Sequence, residues 1–193
     1  MVALSEAERD EDDLAYLLCK YMSEAYAKVT EIPRGNPIQP DIDVLEVRRH
    51  EDPPLVIGYE VKLLRYNKRY KAVSLEEFYK GVGQVHCYFQ HGIDRAMLVF
   101  GIEGAPEDIA SRTTQRIRTM CESFKSTFGA YIKYIGIQFL HWNGVGTVML
   151  DTNQSYAVCS YDDPRYKKES VLKKQFKWSK NWFETMKAKQ AKA

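Results

Sequence analysis

The sequence predicts a single α/β domain in which helices flank a mixed β-sheet. Its 193 residues fit one domain and can bury a sizeable core without disulfide bonds. Segments with helical and strand periodicity follow one another in the order α-β-β-α-β-α-β-β-α, which is typical of helices layered on a sheet. We therefore expect one domain over residues 1–187, followed by a frayed tail at 188–193.

The first predicted element is an amphipathic helix over residues 6–29. Ser5 and Glu8 have the spacing of a capping box, which satisfies free N–H groups at a helix N-terminus. Apolar side chains then recur every three or four residues, at Leu14, Leu17, Leu18, Tyr21 and Ala25. The helix is expected to end before the prolines and glycine of residues 33–37.

Two neighbouring strands are predicted next, over roughly 41–49 and 54–64. The second strand contains the apolar run Leu55-Val56-Ile57, which is typical of a buried strand. Residues 50–53 are polar and include a proline, so they are expected to form the turn between the strands.

A four-residue turn also predicts the register of these strands. If the two residues flanking the turn face each other, Asp43 lies opposite Glu60 and Asp41 lies opposite Lys62. The Cβ atoms of such a pair are about 5 Å apart. Because side chains alternate between the faces of a strand, all four side chains are expected on one face of the sheet.

The remaining elements alternate between helices and strands. A basic loop is followed by a helix that begins with a Ser74–Glu77 capping box, then by a strand and by a helix opened by Pro106. Two strands and a basic C-terminal helix complete the chain. The predicted ranges are 65–73, 75–91, 95–100, 106–128, 132–140, 145–150 and 170–187.

Composition and charge narrow the class of protein. The net charge of +2 does not indicate a polyanion partner by itself, but residues 62–71 hold five basic residues and no acid. Such a run is either a solvated face or a phosphate-binding segment. The four cysteines form no CxxC pair, so reduced thiols are expected. The N-terminus lacks a signal-peptide pattern, and no apolar run has the length of a membrane span, so a cytoplasmic protein without membrane contact is expected.

The two facing carboxylates indicate a site for a hard divalent cation. Asp43 and Glu60 would supply oxygen ligands, and without a cation their repulsion should raise the pKa of one of them. Lys62 would lie on the same face and suits a phosphate group. The alternative is a solvent-exposed hairpin face on which Asp41 and Lys62 form a surface ion pair.

This pattern resembles the PD-(D/E)xK nuclease superfamily, which includes many type II restriction endonucleases, archaeal Holliday-junction resolvases and RecB-like nuclease domains. The resemblance covers about residues 6–100 and includes the α-β-β-α-β order. It implies a restriction-endonuclease-like core with C-terminal additions. The residues that carry it are Pro40-Asp41-Ile42-Asp43, Glu60-Val61-Lys62 with the apolar run before it, and Gly83-Gln84 on the next helix.

The resemblance implies a Mg²⁺ site in which Mn²⁺ should substitute. Glu60 matches one metal ligand, and the carbonyl of Val61 would join it. Asp43 matches the other acid, because IDVLEV resembles the family's strand around that residue. Asp41 is the literal aspartate of the Pro-Asp pair, so the choice between Asp41 and Asp43 stays open.

The resemblance also assigns catalytic roles. A bound Mg²⁺ would act as a Lewis acid on the scissile phosphate and lower the pKa of its water. Lys62 would orient or activate the attacking water and offset developing negative charge. Gln84 would position Lys62 or that water. Some members add a glutamate from the first helix, for which Glu24 and Glu11 are the candidates.

The resulting prediction is a Mg²⁺-dependent deoxyribonuclease, with endonuclease action favoured. DNA is the expected partner, a homodimer is a further expectation because many members act as dimers, and no organic cofactor is expected. The alternatives are a non-catalytic nucleic-acid-binding protein on the same fold, or a nuclease for RNA or branched junctions. The residues predicted to contact nucleic acid are Arg65, Tyr66, Lys68, Arg69, Tyr70 and Lys71.

Overall fold

The computed structural model describes residues 11–20, 22, 24–32, 36–51, 55–88, 91, 93–128, 135–142 and 148–151. The helices are α1 (Glu11–Lys20), α2 (Glu76–Tyr88) and α3 (Glu107–Phe128). The strands are β1 (Ala25–Ile32), β2 (Asn36–Arg48), β3 (Leu55–Asn67), β4 (Ala72–Val73), β5 (Arg95–Glu103), β6 (Ile135–Trp142) and β7 (Val148–Asp151). The predicted C-terminal helix at 170–187 lies outside the described residues.

The described strands form one mixed sheet in the order β1-β2-β3-β5-β6-β7, with β4 paired to β3. β1, β2 and β3 are antiparallel neighbours, β5 and β6 run parallel to β3, and β7 is antiparallel to β6. Parallel neighbours need a long connection, and α2 and α3 lie in these two connections. The predicted mixed sheet flanked by helices is therefore confirmed at this level.

The prediction for the first helix is wrong in its length. α1 ends at Lys20, and residues 25–32 form strand β1 instead of the last turns of a helix. This segment contains Val29, Thr30 and Ile32, whose β-branched side chains favour a pleated strand. Pairing with β2 gives the backbone N–H and C=O groups of the segment their hydrogen-bond partners. This outweighs helix propensity, which is only a weak preference.

Helices cover both faces of the sheet. α1 packs on one face through Leu14 and Leu18. α2 packs on the other face through Phe78 and Val85, and α3 joins it there through Ile117. A central strand such as β3 is consequently buried on both sides, so a charged side chain on it needs a partner inside the protein.

The predicted register between the two acidic strands is confirmed as far as Val44 and Tyr59, where the pairing ends, and the predicted pairs Asp43–Glu60 and Asp41–Lys62 lie beyond it. β2 and β3 pair antiparallel with Val44 opposite Tyr59, and this alignment directs Asp43 towards Glu60. The connection between the strands is one residue longer on each side than predicted, which leaves the alignment unchanged. A slip of one residue would have moved the two acids to opposite faces.

The predicted basic loop at 65–73 is instead a hairpin. β3 continues to Asn67, and β4 pairs back onto it after a turn. The Asn67 side chain accepts hydrogen bonds from the N–H of Arg69 at 3.0 Å and from that of Tyr70 at 3.2 Å. These bonds define the shape of the turn, as asparagine side chains commonly do.

Within the described ranges, no helix is long and apolar enough to cross a membrane. The cysteines in the same part of the chain, Cys19, Cys87 and Cys121, are free.

Candidate active site

The backbone pairing of β2 with β3 stops where the acidic residues begin. The last β3 residue in this ladder is Tyr59. Beyond it, the N–H of Val61 donates to Asp43 Oδ2 at 2.9 Å, and the N–H of Leu63 donates to Glu11 Oε1 at 3.3 Å. Two carboxylates therefore take the place of the main-chain carbonyls that a continued β2 would supply.

The acids and the lysine predicted to form the site are buried. Asp43, Glu60 and Lys62 are 7%, 1% and 6% exposed, whereas Asp41 is exposed. The alternative of a solvent-facing hairpin with an Asp41–Lys62 surface pair is therefore wrong. A buried charge is costly unless it is paired, so the contacts of each group decide what the site can do.

Lys62 lies between two carboxylates. Its Nζ is 2.7 Å from Glu60 Oε1 and 3.1 Å from Glu11 Oε2. Burial by itself lowers the pKa of Lys62, but the negative charge of Glu60, aided by Glu11 and Asp43, raises that pKa above its ordinary value. Lys62 is consequently a fixed positive charge at neutral pH.

Glu60 is the acid whose ionisation is disfavoured. Burial, followed by the charge of Asp43, raises the pKa of Glu60 to about 7, while Lys62 and Tyr88 oppose this rise. The Tyr88 hydroxyl donates to Glu60 Oε2. Among the described residues Glu60 Oε1 has no hydrogen-bond partner, and its ion-pair partner is the Lys62 ammonium at 2.7 Å. The repulsion expected between the two carboxylates is therefore only the smaller cause of the raised pKa of Glu60, and burial is the larger one.

A second lysine, which the sequence did not predict for the site, contacts Asp43. Lys28 Nζ, on β1, is 2.9 Å from Asp43 Oδ1 and 2.7 Å from Asp12 Oδ1. Burial lowers the pKa of Lys28, but hydrogen bonds to Asp12 and Asp43 outweigh it and raise that pKa above its ordinary value. Lys28 has a positive φ of 51°, next to a shift in the β1–β2 register.

Two glycines allow α2 to pack closely over the site. A Cβ atom on Gly81 would lie 3.2 Å from Lys62 Cγ and 3.8 Å from Glu60 Cγ. A Cβ atom on Gly58, in β3, would lie 2.9 Å from the Tyr88 ring. The absence of both side chains lets the helix present Tyr88 to Glu60.

Gly81→Ala is expected to destabilise the protein relative to Gly83→Ala. Both changes gain helix propensity, worth about 1 kcal/mol. A Cβ atom on Gly83 meets nothing within 4 Å, whereas one on Gly81 lies 3.0 Å from Leu98 Cδ2. This crowding should cost about 1–3 kcal/mol. Urea unfolding measures the difference, and equal stabilisation by both alanines would show that α2 does not pack this closely on β3.

The structure distinguishes the two candidate glutamates of the first helix. Glu11, at the start of α1, contacts both Lys62 and the backbone of Leu63. Glu24 lies in the turn before β1, not on a helix, and its Oε1 is 3.9 Å from Arg49 Nε. Only Glu11 therefore joins the buried group.

The two candidate aspartates also differ in position. Asp43 is buried against β3, while the side chain of Asp41 is exposed. The hydroxyl oxygen of Tyr88 also lies 3.0 Å from the main-chain carbonyl oxygen of Asp41. Gln84 lies on α2 and is half-buried, one turn after Gly81 and one turn before Tyr88, so the three share a helix face.

Sequence reasoning missed Tyr88, Lys28 and Asp12. A signal for Tyr88 was present, because it follows Gln84 by four residues and therefore lies on the helix face assigned to the site. Lys28 and Asp12 gave no such signal. Residues 25–29 were assigned to a helix, and Asp12 is one of several consecutive acidic residues with nothing to distinguish it from its neighbours.

The residues predicted to contact nucleic acid lie along the β3–β4 hairpin. Tyr70 is 70% exposed, and the Arg69 guanidinium carbon lies 5.5 Å from the centre of its ring. Arg65, Lys68 and Lys71 are also exposed, and Tyr66 is half-buried. β3 thus connects the buried acids to an exposed basic and aromatic tip.

Comparisons with known proteins found little. No family model matches the chain, and no curated protein sequence matches it. Among solved structures it is similar to the structure of Pyrococcus furiosus SfsA in complex with Ca²⁺, with 12% identity and a TM-score of 0.30. The match covers 75% of this chain and 60% of that one. At this level the likeness carries no functional argument.

Proposed function

We propose that this protein is a metal-dependent nuclease that hydrolyses phosphodiester bonds of DNA through a PD-(D/E)xK-type site. The observation that carries the proposal is the burial of Asp43, Glu60 and Lys62 as one group where β2 and β3 separate. Burying such a group costs folding free energy unless every charge is well paired. The group has a clear chemical use, because carboxylates hold a hard cation and an ammonium attracts phosphate.

The side chains fit a hard divalent cation such as Mg²⁺, with Mn²⁺ as a substitute. Glu60 Oε1 is a buried carboxylate oxygen without a hydrogen bond in the described structure. The N–H of Val61 faces Asp43. Since the N–H and C=O of one strand residue point to the same side, the Val61 carbonyl faces the same gap. These donors are all oxygens, as Mg²⁺ prefers.

The same oxygens contact ammonium groups in this structure. Among the described residues, no three Asp, Glu, His or Cys side chains lie close enough together to hold a metal ion as they stand. Lys28 and Lys62 instead bridge the carboxylates. Metal binding would therefore exchange some ammonium contacts for metal contacts on the same oxygens.

When bound, Mg²⁺ would polarise the scissile phosphate as a Lewis acid. Lys62 would place a fixed positive charge beside the phosphate as its oxygens become more negative. Glu11 would restrict the orientation of Lys62 through the Nζ contact. Tyr88 would hold Glu60 in place through its hydroxyl, and Gln84 would position the attacking water or Lys62.

The β3–β4 hairpin would provide a separate contact for DNA. Its exposed cations suit phosphates, and its exposed tyrosine suits stacking on a base. The hydrogen bonds that the Asn67 side chain accepts already define the turn, so little order would have to be gained on binding.

Tyr70→Ala is expected to weaken binding of single-stranded DNA by about 10-fold or more, because base stacking on an aromatic side chain is worth roughly 1–3 kcal/mol. The matched control is Tyr79→Ala, which removes another exposed tyrosine, from α2. Fluorescence anisotropy with a labelled oligonucleotide measures both. Equal weakening by the two variants would mean that the hairpin is not the contact surface.

The direct test of the proposed function is incubation with plasmid and with short single- and double-stranded DNA, in Mg²⁺, in Mn²⁺ and in EDTA. We expect cleavage in either metal and none in EDTA. Parallel reactions with RNA and with a four-way junction test the other nucleic-acid substrates. The absence of cleavage of every substrate would reject the proposal.

A non-catalytic nucleic-acid-binding protein on the same fold is the second candidate. The observation that favours it is the pairing of the buried carboxylates with lysines, which is also how a purely structural ion network looks. Calorimetry separates the candidates. A structural network should bind no Mg²⁺ or Mn²⁺ in a manner that depends on Asp43 and Glu60.

A further inference from the structure

Lys28 contacts the buried Asp43, but the proposed chemistry gives it no role. It reaches Asp43 from β1, while Lys62 reaches Glu60 from within β3. The two facing acids therefore each have their own ammonium partner. Asp43 Oδ1 contacts Lys28 Nζ at 2.9 Å, and Asp43 Oδ2 accepts the N–H of Val61 at the same distance.

The formal charges of this group match one divalent ion. Ion pairs connect Lys28 to Asp12 and Asp43, and Lys62 to Glu11 and Glu60. Four carboxylates against two ammonium groups leave a formal charge of −2 when all are ionised. One divalent cation neutralises this charge, whereas a second would leave an excess of positive charge beside the buried Asp43 and Glu60, which is unfavourable.

The backbone at Lys28 indicates a specific placement of its side chain. A φ of 51° is in the left-handed region, which costs a lysine about 1 kcal/mol relative to its usual conformations. The side chain of Lys28 is 29% exposed, so its ammonium lies between solvent and the buried Asp43. The left-handed backbone at Lys28 thus accompanies a side chain whose ammonium contacts Asp43 Oδ1.

We propose that Lys28 is a positioning residue that limits the site to one divalent cation, because its ammonium occupies the Asp43 oxygen that a second ion would need. The inference rests on the proposed metal site. It distinguishes a one-ion site assisted by two lysines from a two-ion site.

The test is the number of Mn²⁺ ions bound per chain, measured by electron paramagnetic resonance of free Mn²⁺ during titration. We expect one ion for the wild type and two for Lys28→Met. Lys28→Arg keeps the charge and should still bind one. Lys80→Met is the matched control, since Lys80 is an exposed lysine paired with Glu76 and Glu77 on α2, and it should also bind one ion.

Two results would overturn the inference: two ions bound by the wild type, or one ion bound by Lys28→Met. Should Lys28→Met fail to fold, Lys28→Asn removes the charge with a residue that tolerates left-handed backbone better, and two ions are expected there also. Binding of a single ion by Lys28→Asn would overturn the inference as well. A wild type with no Mn²⁺ at all would reject the metal site itself. Lys28→Met could bind two ions while neither the wild type nor any variant cleaves DNA. That result would reject the nuclease proposal but would still support the role of Lys28.

Discussion

Asp43→Asn and Glu60→Gln are each expected to lower the rate of Mg²⁺-dependent DNA cleavage by about 10²- to 10³-fold or more, the size of effect seen when one preorganised electrostatic group is removed from an active site. Both changes keep the shape of the side chain. In Asp43→Asn the new amide oxygen can still accept from the Val61 N–H, and in Glu60→Gln it can still accept from the Tyr88 hydroxyl. Loss of cleavage would therefore reflect loss of negative charge. Gel assays under single-turnover conditions measure it.

Glu46→Gln is the matched control for these two variants. Glu46 is a half-buried glutamate on β2 that accepts from the Tyr59 hydroxyl at 2.6 Å and from Arg48 Nε at 2.7 Å. It is hydrogen-bonded like the site acids but lies outside their group, so its replacement should leave cleavage near the wild-type rate. Full activity in both Asp43→Asn and Glu60→Gln would place the reaction elsewhere.

Asp41→Asn completes the set, because the sequence leaves open which aspartate is the main ligand. The exposure of Asp41 and the burial of Asp43 lead us to expect a much smaller loss in Asp41→Asn. A larger loss there than in Asp43→Asn would reverse the assignment.

The second large effect concerns stability without metal. In EDTA at pH 8, Glu60→Gln is expected to be more stable than the wild type by roughly 1–3 kcal/mol. Ionised Glu60 is unfavourable in the folded protein, because burial and Asp43 raise its pKa from 4.5 to about 7. Glutamine fills the same space without the charge. Urea unfolding of both proteins across pH measures the difference.

The sign of the pH dependence follows from the raised pKa. Below about pH 4.5 the Glu60 carboxyl is protonated in both states, so the wild type carries no penalty there. Between about pH 4.5 and 7 the folded state holds this proton and the unfolded state does not, so stability falls as pH rises. Above about pH 7 the full penalty is present. The advantage of Glu60→Gln should therefore grow through this window and then level off.

Mg²⁺ should reverse this order at pH 8, because only the wild type would bind the ion with both carboxylates and be stabilised by it. Glu76→Gln, which changes an exposed glutamate on α2, should follow the wild type in both conditions. A Glu60→Gln variant less stable than the wild type in EDTA at pH 8 would mean that Lys62 stabilises ionised Glu60 more than burial opposes it.

That Asp43 lies beside Glu60 could be predicted from the sequence, because it depends on the local geometry of the strands and of the turn between them. Side chains alternate along a strand, and a symmetric turn aligns the residues on its two sides. The turn proved one residue longer on each side, and the alignment survived because the change was symmetric. The start of α2 and both ends of α3 were predicted to within one residue, since capping and helix-ending residues are local signals, whereas α2 ends three residues earlier than predicted.

The segment 25–32 shows where such rules fail. Its apolar residues continued the helical pattern of α1, but its β-branched residues and its pairing with β2 made it a strand. That error also concealed Lys28, and it placed Glu24 on a helix that ends before it.

The sequence by itself thus determined the order of most elements, the register of the acidic strands up to Tyr59 and the placing of Asp43 beside Glu60, but its pairing of Asp41 with Lys62 is wrong, since Asp41 is exposed and Lys62 is buried. The tertiary structure alone decided that these charges are buried, that Glu11 rather than Glu24 joins them, and that Lys28 contacts Asp43. The physical reason is distance along the chain. The Lys28–Asp43 and Lys62–Glu11 contacts join residues 15 and 51 positions apart, and they exist only because β2 leaves β3 at Tyr59 while α1 and β1 pack beside the gap.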